Sequence, residues 1–115
     1  MLIDHGSRRA EANQVVEDVA AMLRASHEGV IVVAAHMELA LPSVAEGFAT
    51  CVAAGAIEVI VVPYFLGPGR HVSEDVPQLV EAAAASHEGV RVRITAPLGA
   101  DEKIAALIAL RAEID

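Results

Sequence analysis

Asp4-His5-Gly6-Ser7-Arg8-Arg9 and Pro63-Tyr64-Phe65-Leu66-Gly67-Pro68-Gly69-Arg70-His71 each set a histidine beside glycine and arginine. Each follows a short apolar run and precedes a helix-like stretch. An imidazole at such a place can hold a divalent cation or carry a proton. A neighbouring guanidinium can hold a carboxylate. A third stretch, His36-Met37-Glu38, adds a carboxylate able to receive protons or share a metal. Together they point to metal or proton chemistry on an anionic partner. Each also has a plainer reading: a hydrogen-bonded loop histidine, or a solvated glutamate. His36 stays open between the two. His27 and His87 read as helix-end residues, and Cys51 as a small core residue. Tyr64 and Phe65 fit either a core or the wall of a pocket for a flat ligand.

The elements that must position these residues are legible in the periodicity. Met1-Leu2-Ile3 reads as a stub of buried strand that could be longer in the natural protein. Residues 8–27 carry Ala12, Val15, Val16, Val19 and Leu23 at helical spacing. Val30–Ala35 is a β-branched run of the kind covered on both faces. Pro42 and Ser43 open a second helix, with Val44, Phe48, Cys51 and Val52 inward and Gly55 at its end. Glu58–Val62 forms the third strand. Ser73 is the expected N-cap of a helix with Val76, Leu79, Val80 and Ala83 inward. Val90–Ile94 alternates like an edge strand, and Ile104, Leu107 and Ile108 mark a last helix. Ala25-Ser-His-Glu-Gly-Val30 recurs as Ala85-Ser-His-Glu-Gly-Val90 at two helix-to-strand joints, with glycine suited to a left-handed C′ position. The βαβαβαβα pattern implies one parallel sheet, right-handed crossovers and helices on both faces. Loops at the C-terminal strand ends then form the ligand site.

The 115 residues fit one domain, residues 1–115. The core must be Val, Ile, Leu and Ala, because aromatic residues make up only 3% and there is no Trp. A formal charge of −8 argues against general nucleic-acid binding. It would attract a divalent cation and repel a polyanion, so local arginines matter more. No apolar run is long enough to span a bilayer, and no signal peptide is visible. The expectation is a soluble, cytoplasmic protein without a membrane partner. One cysteine, Cys51, rules out an internal disulfide and a cysteine-held iron–sulfur cluster. Gly67-Pro68-Gly69 lacks the Gly-Lys-Ser/Thr ending of a P-loop, so ATP use is not expected.

Four stretches resemble the small class II tetrapyrrole chelatases: His5-Gly-Ser-Arg-Arg9, Met37-Glu-Leu-Ala-Leu-Pro-Ser43, Pro63–His71 and Ala96-Pro-Leu-Gly99. The nearest type is sirohydrochlorin ferrochelatase or cobaltochelatase. His36-Met37-Glu38 resembles the ferrochelatase branch that includes plant-type enzymes. The resemblance implies a flavodoxin-like (chelatase-like) four-stranded sheet in the order 2-1-3-4. It implies ATP-independent insertion of Fe²⁺, Co²⁺ or Ni²⁺ into sirohydrochlorin, in sirohaem or cobalamin biosynthesis, by a homodimer. His5 and His71 would handle the metal, with Glu38 as the third catalytic group. Ser7, Arg8, Arg9, Arg70, Tyr64 and Phe65 would contact the macrocycle. Some members of that branch carry an iron–sulfur cluster, which a single cysteine cannot hold.

The chemistry fits the residues on its own terms. Neutral imidazole suits these metals while leaving them exchangeable, and a site with few protein ligands keeps positions open for ring nitrogens. A non-catalytic metal carrier using the same histidines is the alternative. A receiver-like module fits poorly, because Pro63-Tyr64 stands where a phosphorylatable aspartate would be needed.

Overall fold

A computed structural model describes all residues, 1–115. In chain order the elements are β1 (Leu2–Asp4), α1 (Ala10–Ser26), β2 (Ala34–His36), α2 (Val44–Ala53), β3 (Glu58–Pro63), α3 (Val76–Ala84), β4 (Arg91–Ile94) and α4 (Glu102–Ala112). One π-helical turn, His71–Asp75, leads into α3. The four strands form a parallel sheet in the order β2-β1-β3-β4. Both the fold class and the strand order expected from the sequence are therefore present. The order puts the topological switch between β1 and β3, and the loops after those strands carry His5 and His71.

Strand alternation divides the core between the two faces. Ile3, Ala35, Val59 and Val61 meet Phe48 and Cys51 of α2 and Val76, Val80 and Ala83 of α3. Leu2, Val32 and Ala34 meet Val16 and Ala20 of α1. Each fully buried large apolar side chain is worth about 1.5–3 kcal/mol. Phe48, with no exposure, is the largest. Burial also pushes the Cys51 thiol pKa up, as fits a core residue. The entry to α2 is fixed locally. Ser43 Oγ accepts from the Glu46 N–H, and the Ser43 N–H donates to Glu46 Oε1, a reciprocal cap. The two repeated joints end as expected on left-handed glycines, Gly29 and Gly89.

The structure corrects four local expectations. The second strand is not residues 30–35 but Ala34–His36, because Val30 and Ile31 have no strand beside them; they are 54% and 38% exposed. Val15 and Leu23 of α1 face largely outward, since the narrow β1–β2 surface is covered by Val16, Val19 and Ala20. Ser73 is not an N-cap. The turn begins earlier, with the Ser73 N–H donating to the Gly69 carbonyl. The last helix forms, yet none of its residues is buried, and Leu107 and Ile108 stay exposed. It follows β4, an edge strand whose side chains are at most half-buried.

Candidate active site

β1 ends in Asp4, and the chain turns outward through His5 and Gly6. Gly6 has φ +89°, and a Cβ built on it would lie 1.9 Å from the Glu38 carbonyl oxygen. Only glycine lets the β1 loop and the β2 loop approach this closely. Two backbone bonds zip the loops together, from the Met37 N–H to the Asp4 carbonyl and from the Glu38 N–H to the His5 carbonyl. The outcome is a short crossing between side chains: His5 Nε2 stands 3.3 Å from Glu38 Oε1.

His71 arrives from the other side. Gly67-Pro68-Gly69 carries the chain away from β3, and the π-helical turn presents the imidazole. π-helical turns are frequent at functional sites because they re-aim one side chain. The His5 and His71 ring centroids are 4.7 Å apart, edge to face. Phe65 lies beside His71, with ring centroids 6.5 Å apart and nearly parallel. A cavity of about 330 Å³ opens next to these groups, lined by Met37, Glu38, His71, Asp75, Gln78 and Leu79.

Hydrogen bonding selects the tautomers. The Gly6 carbonyl can only accept, so the His5 Nδ1–H donates to it over 3.0 Å. The His71 Nδ1–H donates to Asp75 Oδ2 over 2.8 Å. Both rings therefore have their Nε2 lone pairs available, as metal-ligating histidines do when a carboxylate or carbonyl holds the other nitrogen. His5 Nε2 faces Glu38 directly. A lone pair and a carboxylate at that distance can share a bound cation or pass a proton between them. All three side chains remain partly exposed, leaving room for a ligand.

His5, Glu38 and His71, singled out from three separate loops, thus converge. Arg70 precedes His71, is exposed, and has its Nε 3.8 Å from Glu74. Arg8 and Arg9 lie exposed at the start of α1, with Arg9 reaching Glu11 at 4.0 Å. Ser7 is occupied locally. Its N–H donates to Asn13 Oδ1, its carbonyl accepts from Asn13 Nδ2, and its hydroxyl accepts from the Arg9 N–H. Tyr64 and Phe65 part company: Tyr64 packs with the α1-side cluster and Phe65 with the α2/α3-side cluster. They meet again at a small apolar hollow with Leu66 and Leu98.

His36 does not join this group. It is 1% exposed, turned to the α1 face, with Nδ1 2.6 Å from Asp4 Oδ1 and Nε2 4.0 Å from Glu17. Sequence reasoning missed three features. Asp75 orients His71, and its signal was the i,i+4 spacing from His71. Asp4 holds His36, which only strand register could show. Leu39, Leu41 and Leu66, all exposed on loops at the same end of the sheet, supply apolar surface there.

Fold and site define a doubly wound parallel α/β protein with two imidazoles and a carboxylate at its switch point. A model of the CbiX family matches residues 1–114, and the chain belongs to that family. It is 46% identical over 99 residues to the chloroplastic sirohydrochlorin ferrochelatase of Arabidopsis thaliana, covering 86% of this chain and 44% of that protein. It is 33% identical over 120 residues to the sirohydrochlorin cobaltochelatase of Methanococcoides burtonii, covering 97% and 92%. The crystal structure of the sirohydrochlorin chelatase SirB from Bacillus subtilis subspecies spizizenii, in complex with cobalt, superposes with a TM-score of 0.89 at 28% identity. That match covers 97% of this chain and 48% of SirB. The chain thus spans somewhat under half of the plant protein and of SirB, and nearly all of the archaeal one.

Proposed function

We propose that this chain inserts Fe²⁺ or Co²⁺ into sirohydrochlorin without ATP, as an enzyme of sirohaem or cobalamin biosynthesis. The observation that carries the reading is the meeting of His5, Glu38 and His71 beside an open cavity. The names of the plant and archaeal relatives, a ferrochelatase and a cobaltochelatase of sirohydrochlorin, support the substrate.

Insertion must deliver M²⁺ to the ring and remove two pyrrolic protons. His5 and His71 present two imidazole lone pairs to the metal, and few protein ligands leave positions for ring nitrogens. Glu38 accepts one pyrrolic proton and the imidazole freed as the metal leaves His5 accepts the other, so the ring nitrogens exchange two protons for M²⁺. Phe65 and the exposed leucines contact the flat macrocycle. Arg70, Arg8 and Arg9 pair with its carboxylates, with Tyr64 at the rim and Ser7 shaping the Arg8-Arg9 turn. A buried, unpaired Cys51 is in keeping with a reducing cytoplasmic compartment.

A second copy completes the site in this reading. One chain gives an open cleft, and exposed apolar side chains at Leu39, Leu41, Leu66 and along α4 favour burial in a symmetric homodimer. Anaerobic absorption spectroscopy of sirohydrochlorin with Fe²⁺, Co²⁺ or Ni²⁺, with and without protein, tests the activity. Spectra that change no faster with protein than without would refute it. Light scattering tests the assembly, and an active strict monomer at micromolar concentration would refute the dimer.

A further inference from the structure

The proposed reaction leaves one histidine at the end of the sheet unused. His36 closes β2, is 1% exposed, and its Nδ1–H donates to Asp4 Oδ1 over 2.6 Å. In the neutral ring the lone pair is then on Nε2. No hydrogen bond within the chain uses that nitrogen. It opens on a cavity of about 400 Å³, lined by Ala10, Asn13, Gln14, Glu17, His36 and Leu41. This cavity shares no lining residue with the one beside Glu38 and His71, and α1 rather than α3 walls it.

The polar atoms left over around it are acceptors. Glu17 Oε1 faces His36 Nε2 at 4.0 Å. The Gln14 amide donates to Asp18 Oδ1 and keeps its carbonyl oxygen free. Asn13 is held at both ends by the Ser7 backbone. Gln14 and Glu17, three apart, share a face of α1. A ligand that satisfies an imidazole lone pair and a carboxylate together carries positive charge.

The 4.0 Å span narrows the choice. It is too long for a hydrogen bond, which needs about 2.7–3.2 Å. A zinc-like ion lies about 2.0–2.2 Å from an imidazole nitrogen or a carboxylate oxygen, so a single ion reaches both atoms as they stand. The Glu17 side chain, 38% exposed, is free to swing and close the angle. An imidazole ligand suits Co²⁺, Ni²⁺ or Zn²⁺, whereas Mg²⁺ and Ca²⁺ prefer oxygen alone. Asp4 behind the ring supplies the carboxylate that typically orients a metal-bound histidine.

We infer that His36 Nε2 and Glu17 hold a divalent ion of the late first transition row, at a site separate from His5, Glu38 and His71. The Gln14 carbonyl and water complete its shell. The inference stands whether or not the chain metallates sirohydrochlorin. An ion here ties α1 to the end of β2. It also stiffens both loops of the neighbouring site, since Asp4 precedes His5 and His36 stands two residues before Glu38.

The test uses the His5→Ala/His71→Ala chain, which lacks both imidazoles of the other site. Equilibrium dialysis with Co²⁺ should still find one ion per chain. Adding Glu17→Gln, which removes the charge and keeps the shape, should weaken that binding at least about tenfold. His36 itself is left in place because it holds Asp4. Nitrogen NMR of the imidazoles with Zn²⁺ should shift His36 Nε2 and leave His27 and His87 unmoved. No ion bound once His5 and His71 are gone, or equal affinity with Glu17 and with Gln, would overturn the inference. So would shifts confined to His27 or His87, which would mark surface binding alone.

Discussion

His36 Nδ1 lies 2.6 Å from Asp4 Oδ1, and the same two residues are register partners of β2 and β1. The pair locks the strand ends one residue before each departs into the site, to His5 and to Met37-Glu38. The His36 side chain is almost wholly buried, so removing either partner leaves a polar group without its mate. A hydrogen bond to a charged group is worth about 1.5–3 kcal/mol, and its loss here leaves Asp4 without its partner. His36→Ala should lose stability at or somewhat below that range, since Asp4 keeps some solvent contact. Urea unfolding followed by circular dichroism measures it. A loss under about 1 kcal/mol would mean that the pair does not hold the strand ends.

His5→Ala and His71→Ala should each abolish most metal insertion while leaving the melting temperature close to that of the parent. Both side chains are part-exposed loop groups outside the buried core. Asp75→Asn keeps the ring in place and removes the carboxylate that holds the His71 tautomer. A partner of this kind typically contributes about 10–100-fold. Initial rates of sirohydrochlorin metallation, with the uncatalysed rate subtracted, separate the three. Wild-type rates in both histidine variants would rule out the mechanism.

Arg70→Ala, and the Arg8→Ala/Arg9→Ala double change, should weaken sirohydrochlorin binding and leave metal binding almost unchanged. Each guanidinium–carboxylate contact is worth about 1.5–3 kcal/mol, or roughly tenfold or more in affinity. The nearest carboxylates, Glu74 and Glu11, are 3.8 and 4.0 Å away, and all four side chains are solvated, so little stability is at stake. Fluorescence titration with metal-free sirohydrochlorin reads the first effect, and calorimetry with Co²⁺ the second. Unchanged macrocycle affinity in both variants would place the ring elsewhere.

The Glu46 carboxyl is held below its usual pKa, first by the backbone N–H of Ser43 and then by its side chain. A lowered folded-state pKa means that the unfolded chain binds the proton more readily. The stabilisation is therefore fully present above the ordinary carboxylate range and is lost as pH falls through the folded value. Glu46→Gln should accordingly flatten the acid side of the melting-temperature profile, with the two proteins converging at low pH. Parallel acid-side profiles would show that the cap carries no pH dependence.

Much of this arrangement is readable in the chain because it depends on local rules. β-branched runs and helical spacing locate the strands and helices. The order of strands then brings His5 and His71, 66 positions apart in sequence, to one end of the sheet. What was not readable depends on neighbours. Val30–Val33 has the composition of a buried strand, yet forms none where β1 does not reach it. His36 shares a tripeptide with Glu38, but the strand ends at His36 and holds it against Asp4, while Glu38 lies in the loop beyond. Tyr64 and Phe65, adjacent just past β3, pack on opposite faces. Ser73 has the chemistry of an N-cap, but the turn at His71 starts the helix before it.

Gly6 is the tightest point of the site, and it yields a prediction about geometry alone. A Cβ there would lie 1.9 Å from the Glu38 carbonyl oxygen and 3.2 Å from the His36 Cβ, at a φ of +89° that L side chains avoid. Neither obstacle is the far end of a flexible side chain, so the loops must separate. Gly6→Ala should therefore lengthen the 3.3 Å approach of His5 to Glu38 and cost about 1–3 kcal/mol of stability. Metal insertion should fall by more than that loss explains, because the misplaced groups are the reacting ones. Gly67→Ala is the matched control: it lies in the other loop, has no atom within 4 Å of its would-be Cβ, and has no left-handed φ. Metallation rates and melts on the two variants decide the matter. Near-normal insertion by Gly6→Ala would mean that the close crossing of the β1 and β2 loops is not what sets the site.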